Sequence, residues 1–235
     1  MHDVSARSAA PAGWHESADG TVYPPEPWYL GGSLLLAVFR VPVGEVPLLD
    51  EALPAGHRPV VLGGDTVVGL AVVGYAPGGV LAYDELLTAL PTRCGAALRV
   101  TIPQIWVTSP QSRAGGRELW GIPKEIAQVR REAASSGAVR TEVRTVAGEP
   151  VVRLTSRVGG RVLPGRVPVP LPTAQRLDGR TVVSHNRVVA RVHRLAARWE
   201  VAAGGPLGHL AGREPVAQVV LTDASVVFGE RVVRA

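Results

Sequence analysis

The chain is 235 residues long, 46% hydrophobic and 19% charged, with a formal net charge of +5. That length and apolar content support a sizeable folded core and exclude a disordered chain. The single cysteine, Cys94, excludes an internal disulfide and a multi-cysteine metal site. The arginines are spread from Arg7 to Arg234, Arg130–Arg131 is their only adjacent pair, and no stacking aromatics interleave with them, which argues against a nucleic-acid partner.

Residues 1–24 are rich in Ala, Ser, Gly and Pro and are expected to form a flexible arm, leaving 25–235 as one domain. "MHDVSARSAAPAG" has no hydrophobic signal core, and no apolar run approaches the about 20 residues of a membrane helix, so a cytoplasmic protein away from membranes is expected. "YPPEPWYLGG" (Tyr23 to Gly32) reads as extended, since proline pushes the residue before it out of helical geometry. Val-rich, strand-like runs follow: "SLLLAVFRVPV", "RPVVLGGDTVVGLAVVGYAP", "GVLAYDELLTAL" and "ALRVTIPQIWVTS". "GEVPLLDEALP" (Gly44 to Pro54) interrupts them with room for one short helix. "PKEIAQVRREAASSG" predicts a second short helix after Lys124, with Pro123 in its first turn and Gly137 as its stop. Three further runs are strand-like: "VRTEVRTVAGEPVVRLTSRV", "RTVVSHNRVVARVHRLAARWEV" and "PVAQVVLTDASVVF". "AGEP" (Ala147 to Pro150) and "LDGR" (Leu177 to Arg180) are turn signals, and "VPVPLP" (Val167 to Pro172) reads as a rigid connector. The fold class is mainly β: an antiparallel barrel, closed or half-closed, with a few short helices.

Most familiar chemistry is missing from the sequence. "LGGD" and "PGG" lack the spacing of a phosphate loop, no "GxSxG" elbow occurs, and the six histidines lack metal-ligand spacing, so no metal is expected. What stands out is "GRELWGIPKEIA" (Gly116 to Ala127), which holds Lys124, the only lysine; the other 24 of the 25 basic residues are arginine. Arginine keeps its proton, whereas a desolvated lysine can become a neutral amine and add to a carbonyl. Leu119, Trp120, Ile122 and Ile126 supply an apolar setting. Glu118 and Glu125 nearby in sequence, and Asp84 and Glu85 further off in "AYDEL", are the carboxylates available to move protons. An ordinary surface lysine, or one that pairs with a bound carboxylate in a non-catalytic pocket, is the alternative.

"GRELWGIPKE" resembles the signature of the acetoacetate decarboxylase superfamily. "LLAVFRVP", "AYDEL", "LPTAQRLDGR", "VARVHRLAARWEVAAGGPLGHL" and "ASVVF" resemble that family's flanking strands in the same order, from Pro25 to Val233. The resemblance implies a β-barrel-like cone that assembles into homo-oligomers, works without a cofactor and takes a small keto substrate. Lys124 then matches the Schiff-base lysine, and Glu85 the active-site glutamate, a candidate proton shuttle. Arg117 and Glu118 match an Arg-Glu pair whose role is catalytic or a structural ion pair. Trp120, Trp106, Tyr83 and Tyr29 are candidate pocket walls, or core. Two departures stand out. Glu125 replaces the second lysine of the true decarboxylases, and no arginine lies between Arg7 and Arg40, where they carry one. Adjacent residues of a strand point apart, so Glu125 is expected to face away from Lys124. Together these favour aldol-type condensation, dehydration or cyclisation in secondary metabolism, over decarboxylation of a β-keto acid through the same imine.

Overall fold

The computed structural model describes residues 11–47, 49–135 and 137–235. The chain opens with a small hairpin, β1 (His15–Glu16) on β2 (Val22–Tyr23), followed by the long β3 (Trp28–Pro42). A 3-10 turn (Val43–Glu45) overlaps the start of the expected helical stretch, and a one-turn α1 (Leu49–Ala52) falls inside it. Then come β4 (Arg58–Pro59), β5 (Asp65–Tyr75), β6 (Tyr83–Cys94), β7 (Ala97–Thr101) and β8 (Ile105–Val107). The helix α2 (Pro110–Trp120) precedes β9 (Lys124–Ala133), β10 (Val139–Thr145) and β11 (Pro150–Arg161). The chain ends with β12 (Val167–Pro170), β13 (Thr173–Leu177), β14 (Arg180–Val201), a 3-10 turn (Gly208–Leu210) and β15 (Ala217–Arg234). No helix among the described residues is long and apolar enough to cross a membrane.

The large sheet runs in the order β11-β10-β9-β8-β6-β5-β3-β15-β14, and β14 pairs again with β11, so the sheet wraps into a ring. Almost every pairing is antiparallel; β8 with β9 is a parallel exception. Parity explains the unbroken apolar run of β5. Val68, Leu70 and Val72 face one cluster with Phe39, Leu86 and Leu154, while Gly69, Ala71 and Val73 face a cavity on the other side. A strand buried on both faces has no polar side to alternate with. A second cluster, around Trp28, Tyr83, Ile102, Trp120 and Val226, closes the cavity end of the ring.

Two expectations need correction. The segment after Lys124 is a strand, not a helix. Ile105 to Val107 pair with Lys124 to Ile126 on one side, and Val139 to Thr145 pair on the other. Two flanking ladders outweigh the helical propensity of Lys-Glu-Ile-Ala. The helix instead precedes the motif. Ser109 caps it by accepting from the Ser112 N–H at 3.1 Å, Pro110 begins it, and Gly121 ends it at φ 66°. "VPVP" pairs with β14 as a short strand, Val167 opposite Ala190, rather than acting as a bare connector. Of the expected arm, residues 1–10 lie outside the described residues. The rest includes the β1–β2 hairpin, whose Tyr23 is buried in the same cluster as Trp28.

Candidate active site

Lys124 is the first residue of β9, three residues beyond the helix terminus at Gly121. The tight exit from α2 is held by Gly121 N–H and Ile122 N–H donating to the carbonyls of Arg117 and Gly116, each at 3.0 Å. This turns the lysine back across the helix. A Cβ on Gly116 would lie 2.6 Å from Lys124 Cδ, so the lysine stem runs over bare backbone. Gly115 does the same for Trp28, whose ring would meet a Cβ at 2.5 Å. Two glycines in mid-helix cost about 1 kcal/mol each relative to alanine. Here they let the helix approach its neighbours.

Lys124 is 4% exposed. Its Nζ donates to Ser112 Oγ at 2.9 Å, Glu85 Oε2 at 3.2 Å and the Tyr83 hydroxyl at 3.4 Å. Tyr83 in turn donates to Glu85 Oε2 at 3.3 Å. Glu85 and Tyr83 stand two apart on β6 and so share a face. The ammonium also lies 5.3 Å from the Tyr83 ring centre and 5.7 Å from that of Trp28. Burial holds the Tyr75 and Tyr83 hydroxyls well above the usual phenol range, and the Glu85 charge raises them further. Both are therefore protonated donors at neutral pH.

Lys124, Glu85, Tyr83 and Trp120 line one cavity of about 130 Å³. The other expected site residues lie elsewhere. Tyr29 is 61% exposed, because β3 alternates and it is the neighbouring Trp28 that points inward. Trp106 packs in the opposite cluster with Leu86 and Leu90, while its neighbour Ile105 lines the cavity. Glu118 is exposed on the outer side of α2. Arg117 is outside the cavity and its ion-pair partner is Glu125, not Glu118. Its Nε donates to the Lys124 carbonyl at 2.7 Å, so it fixes the backbone that carries the lysine. Glu125 faces away from the cavity, as strand parity requires. Asp84 is turned outward too and pairs with Arg131 at 2.7 Å. Ser112, Trp28 and Tyr75 went unnoticed in the sequence. Ser112 is one helical turn from Gly116 within "SPQSRAGG", a spacing readable only once that stretch is recognised as a helix.

The fold and site define a β-rich ring protein with one buried amine held against a carboxylate in an apolar cavity. The model of the acetoacetate decarboxylase family matches residues 11–198, and the chain belongs to that family; it is an acetoacetate decarboxylase-like enzyme. No curated protein matches the sequence. Among solved structures, acetoacetate decarboxylase from Legionella pneumophila has a TM-score of 0.68 at 16% identity, covering 91% of this chain and 88% of that one. An acetoacetate decarboxylase-like enzyme from Sphingomonas wittichii RW1 gives 0.64 at 17%, with 89% and 92% covered. The enduracididine biosynthesis enzyme MppR, complexed with the condensation product of pyruvate and imidazole 4-carboxaldehyde, gives 0.59 at 18%, with 97% and 98% covered. At such identities the likeness is one of fold.

Proposed function

We propose that the protein is a lyase that forms a Schiff base between Lys124 and a keto substrate and uses it for aldol-type condensation with dehydration, or for cyclisation. The carrying observation is the Lys124 Nζ, buried and hydrogen-bonded to Glu85 Oε2 at 3.2 Å inside a cavity. Glu85 takes a proton from the ammonium, and the freed lone pair attacks the carbonyl carbon. The same carboxyl returns that proton to the carbinolamine oxygen, which leaves as water, giving the iminium. Glu85 then removes a proton from the carbon next to the iminium. The resulting enamine attacks a second carbonyl, whose oxygen takes the proton that Glu85 holds; in the condensation that hydroxyl leaves as water with a proton from the carbon next to the iminium, and hydrolysis of the iminium releases the product and restores the amine. Tyr83 and Ser112 keep the nitrogen in place, and Tyr83 holds the Glu85 oxygen that moves the proton. The bond-forming preference draws on the condensation product carried by the MppR structure. Decarboxylation of a β-keto acid would pass through the same iminium and is the second reading. Within this proposal the protein needs no cofactor and acts as a cytoplasmic homo-oligomer.

Reductive trapping with cyanoborohydride and a ketone, followed by peptide mapping, tests it. A secondary amine is expected at Lys124, and Lys124→Arg is expected to lose both adduct and turnover. Full turnover in Lys124→Arg would end the imine reading.

A further inference from the structure

The cavity is sharply divided by chemistry. Its ionisable side chains are Tyr75, Tyr83, Glu85 and Lys124, and no arginine or histidine lines it among the described residues. These four gather at one end. In the β5–β6 ladder Tyr75 stands opposite Tyr83 and Val73 opposite Glu85. Next come Ala71 opposite Leu87 and then Gly69 opposite Ala89. The wall thus runs from carboxylate to bare methyl groups over four residues of strand, about 13 Å at the usual rise. Leu34 and Leu36, opposite Val73 and Ala71 on β3, continue it, and Ile102 and Leu171 also line the cavity. Gly69 and Ala89 matter by what they lack: larger side chains there would fill the far end.

The charges are already balanced. Lys124 is the only cation in the cavity and Glu85 is its counter-ion. That balance survives imine formation, because the iminium keeps the positive charge. A substrate carboxylate would be a second anion beside Glu85 with no cation of its own, in an apolar cavity where an unpaired charge is strongly disfavoured.

Resting on the imine reading above, we infer that the substrate joined to Lys124 is a neutral ketone or aldehyde with an extended apolar body lying along β5 and β6, and not a keto acid. The carbonyl sits at Lys124, Tyr83 and Ser112, and the apolar tail runs toward Gly69 and Ala89. Decarboxylation, which requires an acid substrate, is correspondingly disfavoured against carbon–carbon bond formation.

The experiment is reductive trapping of the full chain at neutral pH with two matched pairs: acetone against pyruvate, and methyl pentyl ketone against the α-keto acid bearing the same pentyl chain. Intact mass and peptide mapping read the adduct, which adds the mass of the carbonyl compound less one oxygen. Methyl pentyl ketone is expected to be trapped at least about tenfold more than its keto acid, although the acid has the more electrophilic carbonyl. Trapping at low concentration should rise from acetone to methyl pentyl ketone by up to about fourfold per methylene. Ala89→Leu should shrink the ratio of pentyl ketone to acetone adduct, and Gly69→Ala, whose new Cβ makes ordinary 3.5 Å contacts, should do so more gently. Keto acids trapped at Lys124 as well as or better than the ketones would overturn the neutral-substrate inference while leaving the imine intact. No gain with chain length would overturn the apolar body. No adduct from any of the four would overturn the imine reading itself.

Discussion

At Lys124 the decisive neighbour is a residue with no side chain. The stem crosses Gly116, and the paired glycines have separable effects. Gly116→Ala puts a methyl 2.6 Å from Lys124 Cδ, a flexible stem that moves aside. Helix propensity favours the change by about 1 kcal/mol, offsetting overpacking of similar size. Thermal stability should therefore change little, while displacement of the amine by about 1 Å should slow imine trapping about a hundredfold. Gly115→Ala meets the rigid Trp28 ring at 2.5 Å and should instead lower stability by about 1–3 kcal/mol. Melting curves and trapping rates on the two variants distinguish them. An equal loss of stability in both would contradict the separation.

Side-chain identity was readable in the sequence; side-chain direction was readable at Glu125, by its adjacency to Lys124, and not at the aromatic residues. That Lys124, Glu85, Tyr83 and Trp120 meet follows from residue type and family resemblance. Tyr29 and Trp106 were misplaced by one position of strand parity, each adjacent to the residue that does line the cavity. Glu118 needed the helix axis, which was unknown.

Between α2 and β9 the chain reverses in three residues, and this junction explains why the helix was expected after Lys124 rather than before it. Ser109-Pro110 and Gly121 are proper start and stop signals, but Gly115–Gly116 between them suppressed the helical pattern. The same junction predicts a ranking. Ser109→Ala removes one cap and should cost about 1 kcal/mol. Gly121→Ala forces a φ of 66° on alanine and sets a Cβ 2.3 Å from the Arg176 carbonyl oxygen, so it should cost more, about 2–3 kcal/mol. Denaturant midpoints would show the order, and a milder Gly121→Ala would refute it.

The β1–β2 hairpin is expected to respond to acid. Asp19 is lowered from 3.8 to about 2 by hydrogen bonds from Ser17 and Thr21, with a smaller pull from Arg113 on α2. A depressed carboxylate stabilises the fold above its unfolded value and loses that contribution as pH falls through its folded one. The hairpin should thus hold from neutrality to about pH 4 and loosen between about pH 4 and 2. Exchange of the Thr21 amide, which donates to Asp19 Oδ1 at 3.1 Å, would report it. In Asp19→Asn that acid step should vanish.

Over the molecule as a whole, the ring divides into a filled half and a hollow half. Phe39, fully buried in the filled half, makes no part of the cavity lining. Phe39→Ala should cost about 3–5 kcal/mol while the folded fraction traps ketone at the normal rate. A trapping rate that fell with stability would mean that the two halves are not independent. The β class was readable because Val-rich runs bounded by Gly and Pro leave few alternatives. The barrel was expected as closed or half-closed, but the strands that complete the ring were not named, because the meeting of β14 with β11 has no local signature.

The exit of α2 into β9 carries one further consequence. Lys124 is mounted on one stretch of chain, Ser109 to Ile126, while the far walls of the cavity come largely from β3, β5 and β6. Mount and mould meet at Tyr83 and Glu85, which stand on β6 and hold the amine. Substitutions at Leu34, Leu36, Gly69, Ala71 or Ala89 can recut the space without touching the screws that hold the lysine. On the proposed imine chemistry, the scaffold is accordingly suited to acquiring new carbonyl substrates by small steps, each leaving the amine where it was.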